Sequence, residues 1–154
     1  MDFIVVPADS VGARLAMTRY VDELQGVLPH GFTTEQALAD AARDYNEPNG
    51  LYVLLGAPED PLAGGAITFL DQRRAEVKRM WVNPVARGQG IARALLAELE
   101  RLAAQRGRGT IVLDTSSGLT AAVALYDSSG YQRIPAYNDN IDADLWFRKE
   151  VPTP

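Results

Sequence analysis

The chain has 154 residues, 47% of them hydrophobic, a length and composition that suit one soluble domain with a single core. It has no cysteine, which excludes disulfides, thiolate metal sites and a cysteine nucleophile, and the one histidine, His30, has no second histidine with which to share a metal. Twenty acidic side chains against fifteen basic ones leave a formal charge of −5, which argues against a general nucleic-acid surface and weakly favours cationic partners such as amines.

Met1-Asp2-Phe3 shows neither the basic region nor the long apolar core of a signal peptide. No apolar run approaches a membrane span, so the expectation is a cytoplasmic protein without a membrane partner. Phe3–Pro7 reads as a short strand closed by proline. Asp9 or Ser10 can cap a first helix, on which Leu15, Tyr20 or Arg19, Leu24 and Leu28 recur at roughly helical spacing, and Pro29-His30-Gly31 ends it. Thr33-Thr34-Glu35-Gln36 starts a second helix that runs to Asp44. Asn46-Glu47-Pro48-Asn49-Gly50 is a dense turn signal.

Leu51–Leu55 and Gly64–Leu70 read as strands around a turn at 57–61. The polar turn Asp71–Arg74 leads into Ala75–Val82, long enough for a central strand. Asn83-Pro84 breaks that strand. A third helix spans about Gly90 to Arg106, with Ile91, Leu95, Leu99 and Leu102 on one face and Gly107 as its stop. Thr110–Asp114 is a short buried strand, and Thr120–Ser129 a helix closed by Gly130. Late strands follow near Tyr131–Ile134 and Leu145–Lys149, and 151–154 reads as a frayed tail. The order β-α-α-β-β-β-α-β-α-β-β predicts an α/β (α+β) fold: a mixed, largely antiparallel central sheet flanked by helices, in one domain over 1–154.

The segment Arg87-Gly88-Gln89-Gly90-Ile91-Ala92 joins a strand to a helix through a glycine-containing turn. Free N–H groups at a helix start attract anions, and glycines let a phosphate approach the main chain. A dinucleotide fingerprint would need a third glycine where Arg93 stands, and a P-loop would need Gly-Lys-Ser/Thr; both fail. Taken alone, the two glycines also suit a purely structural turn.

The fuller string does more. Val82-Asn83-Pro84 followed by Arg87-x-x-Gly90-x-Ala92 resembles the acetyl-CoA-binding motif of the GCN5-related N-acetyltransferases. Ala124-Leu125-Tyr126-Asp127-Ser128-Ser129-Gly130-Tyr131 resembles the second signature of the same family, about 35 residues downstream and across one strand. The resemblance implies the family's acyltransferase fold, with acetyl-CoA as co-substrate and no metal. It implies that the backbone N–H groups of Arg87, Gly88, Gln89, Gly90, Ile91 and Ala92 ring the diphosphate, with charge added by Arg87 and Arg93. Backbone groups of Met80 and Val82 would pair with the pantetheine arm, provided the sheet splays beyond Val82 with a bulge in that strand.

For the chemistry, the resemblance makes Tyr126 the acid that protonates the departing thiolate, since a phenol is protonated at neutral pH. It gives Tyr131 a packing role. It makes Glu76 a candidate base, on the strand face expected to carry Lys78, Met80 and Val82; the competing reading of Glu76 is an ion pair with Lys78, Arg74 or Arg79. The family often has Asn or Gln seven residues before the tyrosine; Leu119 stands there, so Ser116, Ser117 or Thr120 would have to supply that polar contact. The acceptor pocket implied by the fold draws on Tyr20, Glu23, Phe32, Tyr137, Asn138 and Asp139, and Ile134-Pro135-Ala136-Tyr137 is similar to a stretch in small-molecule members. The expected partner is therefore a small-molecule amine, with no nucleic acid. A protein or peptide acetyltransferase and a non-catalytic acetyl-CoA-binding module are the alternatives, and a homodimer is raised by analogy alone.

Overall fold

A computed structural model describes residues 1–154. Its elements are β1 (Ile4–Val6), α1 (Val11–Leu24), α2 (Thr34–Asp44), β2 (Gly50–Ala57), β3 (Asp60–Phe69), β4 (Arg74–Val82), α3 (Ile91–Gln105), β5 (Thr110–Thr115), α4 (Thr120–Ser128), β6 (Gln132–Ile134) and β7 (Leu145–Glu150). They follow the expected order, with one addition: Pro84–Ala86 forms a 3₁₀ turn after β4, capped by the Asn83 side chain. The seven strands make one sheet in the order β1-β2-β3-β4-β5-β7-β6. Only β4 and β5 run parallel. No helix is long and apolar enough to cross a membrane.

Local chemistry sets the helix ends. Ser10 caps α1, and Thr33 caps α2 in a reciprocal arrangement with Gln36. The last turn of α1 ends earlier than Pro29, at Leu24, followed by Gly26 at φ +76. Its inward face also differs from the leucine spacing. Gly12, Ala13, Ala16, Met17 and Val21 are buried, and Leu15 is not. The helix lies so close to the sheet that a Cβ at residue 12 would meet Leu54 at 2.5 Å. Small residues therefore face inward, and the larger Leu15 is turned aside.

The sheet separates two apolar clusters. One contains Leu95, Leu96, Leu99, Ile111, Leu113 and Phe147 on the α3 side. The other contains Met17, Tyr45, Tyr52, Ala66 and Trp81 under α1 and α2. The expected inward stripe of α3 is fully borne out: Ile91, Leu95, Leu99 and Leu102 are all buried.

Two irregularities in β4 shape everything downstream. Its parallel pairing with β5 stops after three residues, at Glu76 opposite Val112, so the strands part well before Val82. Against β3, Ala63 pairs with Val82 and Gly64 with Trp81, yet Ala66 pairs with Lys78. One extra residue is thus inserted in β4, and Arg79 takes φ +58 there. The bulge corrects the expected alternation. Glu76 and Lys78 lie opposite Thr68 and Ala66 on the α1–α2 face and share it with Trp81. Met80 and Val82 pack with the α3-side cluster instead, because one added residue exchanges the faces of everything beyond it.

Candidate active site

The turn after β4 presents a row of unused donors. The N–H of Arg87 bonds Pro84 within the 3₁₀ turn, and Ala94 is the first residue of α3 to bond back, to Gly90. The main-chain N–H groups of Gly88, Gln89, Gly90, Ile91 and Ala92 have no main-chain acceptor. Gly88 and Gly90 hold φ values of +80 and +78, which only glycine adopts at low cost. A Cβ at either position would meet nothing within 4 Å. The turn is therefore open to solvent and carries free N–H groups at the positive end of a four-turn helix, a setting that attracts an anion.

The two arginines of the motif are directed elsewhere. Arg87 donates through Nε to the Val82 carbonyl (2.9 Å) and through Nη2 to Glu23 on α1 (2.5 Å). Arg93 donates to the hydroxyls of Ser128 (2.8 Å) and Ser129 (3.0 Å) at the end of α4. These contacts brace the turn against α1 and α4. Glu23 serves that brace and does not line the cleft described next.

Where β4 and β5 part, a cleft of about 500 Å³ opens. Its walls include Val77–Met80 on β4, Asp114–Ser116 at the end of β5, Leu119, Ala122 and Tyr126 on the α4 side, and Tyr20 and Phe32. Asn83 donates its N–H to the Leu62 carbonyl on β3. Strand alternation therefore turns the N–H of Val82 toward the edge that β5 has left. Tyr126 is 8% exposed and packs edge-on against Tyr131 and at a tilt on Phe147. Burial, with smaller contributions from Tyr20 and Asp114, pushes its hydroxyl well above the usual phenol range, so it stays protonated. Tyr131 packs as expected, donating to Glu100 at 2.7 Å.

Tyr20 and Phe32 meet in the cleft wall as a stacked pair with centroids 6.5 Å apart. Glu76 lies beside the cleft and not in its wall. It is 7% exposed, accepts from the Tyr137 hydroxyl (2.5 Å) and stands 3.7 Å from Lys78 Nζ, which does line the cleft. Asn138 donates to Asp114 (2.7 Å) and accepts from the Trp146 indole (2.9 Å), so it acts behind the wall. Asp139 is exposed. Leu119 and Ser116 both reach the cleft, while Ser117 is bonded to Asp144.

The loop between β6 and β7 forms one end of the cleft wall, through Asn140, Ile141, Asp142 and Ala143. The Asp142 carboxylate accepts from the main-chain N–H groups of His30 (2.7 Å) and Gly31 (3.0 Å), bridging to the α1–α2 connection. Asn140 and Asn138 together hold Asp114. Three wall residues, Arg79, Asp114 and Asp142, are not singled out by any sequence pattern. The one signal was the charged pair Lys78-Arg79 inside a strand that otherwise reads as buried.

The model of the acetyltransferase (GNAT) family matches residues 17–131. An uncharacterized N-acetyltransferase of Schizosaccharomyces pombe is 28% identical over 152 residues, covering 96% of this chain and 92% of its own. The human N-acetyltransferase 8B is 28% identical over 135 residues, 84% of this chain, but the match spans only 56% of that longer protein. Among solved structures, the PaiA N-acetyltransferase of Thermoplasma acidophilum, in complex with coenzyme A, superposes with a TM-score of 0.72 at 15% identity, over 97% of this chain and 99% of its own.

Proposed function

Because this chain belongs to the acetyltransferase (GNAT) family and is an acetyl-CoA-dependent acyltransferase, we propose that it acetylates the primary amine of a small molecule by direct attack. The residues present suit the co-substrate. Five unpartnered N–H groups from Gly88 to Ala92 match the several oxygens of a diphosphate. Gly88 and Gly90 leave open space where any side chain would intrude. The free edge of β4 at Met80 and Val82 can pair with an amide-bearing arm as an added strand would. Arg87 and Arg93 hold the turn in shape through Glu23 and the α4 serines; their role in this reading is to position the N–H groups.

When bound, acetyl-CoA supplies an acetyl group activated as a thioester. The chain supplies the rest. Tyr126 offers a protonated hydroxyl at the cleft wall, and its role in this reading is to donate to the leaving thiolate. The unpaired N–H of Val82 faces the splayed edge, where a carbonyl oxygen gaining charge needs a donor. Glu76 is the proton sink of this reading. One of its two oxygens accepts from Tyr137 and the other faces Lys78, and because Glu76 stands beside the cleft and not in its wall, it takes the amine's proton through water and not by direct contact.

The observation that carries the small-molecule acceptor is the bridge from Asp142 to His30 and Gly31. A tail of protein chain needs an open groove, whereas this bridge ties the β6–β7 loop to the α1–α2 connection and limits how wide a groove can open between them. A thiol-release assay over free amines and over lysine-bearing or free-N-terminus peptides tests it. Release with small amines alone is expected. Release with peptides alone would move the reading to a protein acetyltransferase, and binding of acetyl-CoA without release on any acceptor would make the chain a sensor.

A further inference from the structure

The bulge in β4 delivers an arginine into the acceptor end of the cleft. Arg79 sits at the inserted position with φ +58, a conformation that costs a non-glycine residue of order 1 kcal/mol or more. Its side chain is 13% exposed. The guanidinium lies 4.2 Å over the face of Phe32 and near enough to the hydroxyls of Tyr20 and Tyr45 to interact with both. Its nearest carboxylate is Asp40, whose Oδ2 is 3.9 Å from Nη2, beyond hydrogen-bond reach. Asp40 is itself drawn off by Arg43 at 3.2 Å. The Nε of Arg79 is buried with no partner at all.

A buried cation whose Nε lacks an acceptor and whose nearest carboxylate stands 3.9 Å away is costly unless an anion completes it. The other charged groups on this wall do not do so. Asp142 accepts two main-chain N–H groups on Oδ1 and Asp114 is held by two asparagine amides, Arg79 pairs with neither, and Lys78 is another cation. The planar guanidinium fork matches a carboxylate, which it can take with two parallel hydrogen bonds. Phe32, stacked against Tyr20, supports it from one side.

We propose that Arg79 is the acceptor-binding residue for a carboxylate, so that the amine acetylated here belongs to an amino acid or a close amino-carboxylate analogue. This rests on the acetyl-transfer reading above. The acid end docks at Arg79, Tyr20 and Phe32, and the amine end then points along the cleft toward Met80 and Tyr126, which line the same space.

The test compares free amino acids with their carboxamides in the thiol-release assay, one side chain at a time, with binding of each to the coenzyme A complex measured by calorimetry. In the natural protein, kcat/KM for the acid should exceed that for the amide by about tenfold or more, the scale of a charge-assisted hydrogen bond. In Arg79→Gln that ratio should collapse toward one through a rise in the acid's KM, and Arg79→Lys should recover part of it. Equal use of acid and amide by the natural protein would overturn the proposal without any variant. So would an Arg79→Gln protein that loses stability and slows both acceptors equally, which is what a mere tie between β4 and α2 would do. Failure to bind or use any acid, with uncharged amines still acetylated, also overturns it and leaves the acetyl-transfer reading standing. Absence of acetyl-CoA binding would instead sink that reading itself.

Discussion

At the scale of single residues, the phenol of Tyr126 is the sharpest prediction. Tyr126→Phe removes one oxygen and keeps the ring contacts with Tyr131 and Phe147 at 6.0 and 5.6 Å. Turnover should fall by about 10²-fold or more, the usual contribution of a positioned acid, while calorimetry finds acetyl-CoA affinity unchanged. The pH dependence has a definite sign. Burial raises this hydroxyl above its ordinary value of about 10, and the acid form is the active one, so no loss of kcat from this group should appear on the alkaline side below about pH 10. A falling limb near about pH 8 that vanishes in Tyr126→Phe would contradict the assignment. Legibility in the sequence differed by residue for physical reasons. Gly88 and Gly90 could be read because positive φ leaves glycine as the low-cost choice. The partners of Arg87 and Arg93 could not, since they depend on where α1 and α4 pack. A bulge in this strand was implied by the resemblance, but its position at Arg79 was hidden because register is a property of two paired strands, and Met80 and Val82 were put on the wrong face for the same reason.

At the scale of elements, the turn between β4 and α3 can be separated from the fold it sits in. Gly90→Trp puts a large side chain into the open space over the N–H row and forces φ +78 on a non-glycine residue. The strain is of order 1 kcal/mol, small beside the stability of a typical domain. The expected outcome is a folded protein with a slightly lower Tm and no measurable heat of acetyl-CoA binding. Unchanged affinity would show that this turn does not hold the diphosphate. Helix and strand identities were legible throughout because caps, glycine stops and periodicity agree, as in α3, where four apolar residues at helical spacing are all buried. The face of α1 was not. Leucine spacing points to one stripe, but the close approach at Gly12 and Leu54 selects Ala13 and Ala16 for the interface.

At the scale of the whole molecule, the sheet is two antiparallel blocks, β1–β4 and β5-β7-β6, joined by a parallel ladder of three residue pairs. The cleft exists because that ladder stops early. Its walls therefore belong to both blocks: Val77–Met80 from the first, Asp114–Ser116 and Tyr126 from the second. A ligand lying along the free edge of β4, with its diphosphate on the α3 turn, would touch both blocks and bind only when they are correctly placed. It would stabilise the native state alone, by about 2.7 kcal/mol at 100 times its Kd. For a chain of this length each kcal/mol is worth about 2–4 °C, so saturating coenzyme A should raise Tm by about 5–10 °C. The acetyl group adds little contact area, and acetyl-CoA should give nearly the same shift. Gly90→Trp should abolish the shift, and Tyr126→Phe should keep it, because one changes the cradle and the other only the chemistry. A shift in the natural protein that persists in Gly90→Trp would mean that the ligand bridges the two blocks by some other route, and the cradle at 88–92 would have to be given up.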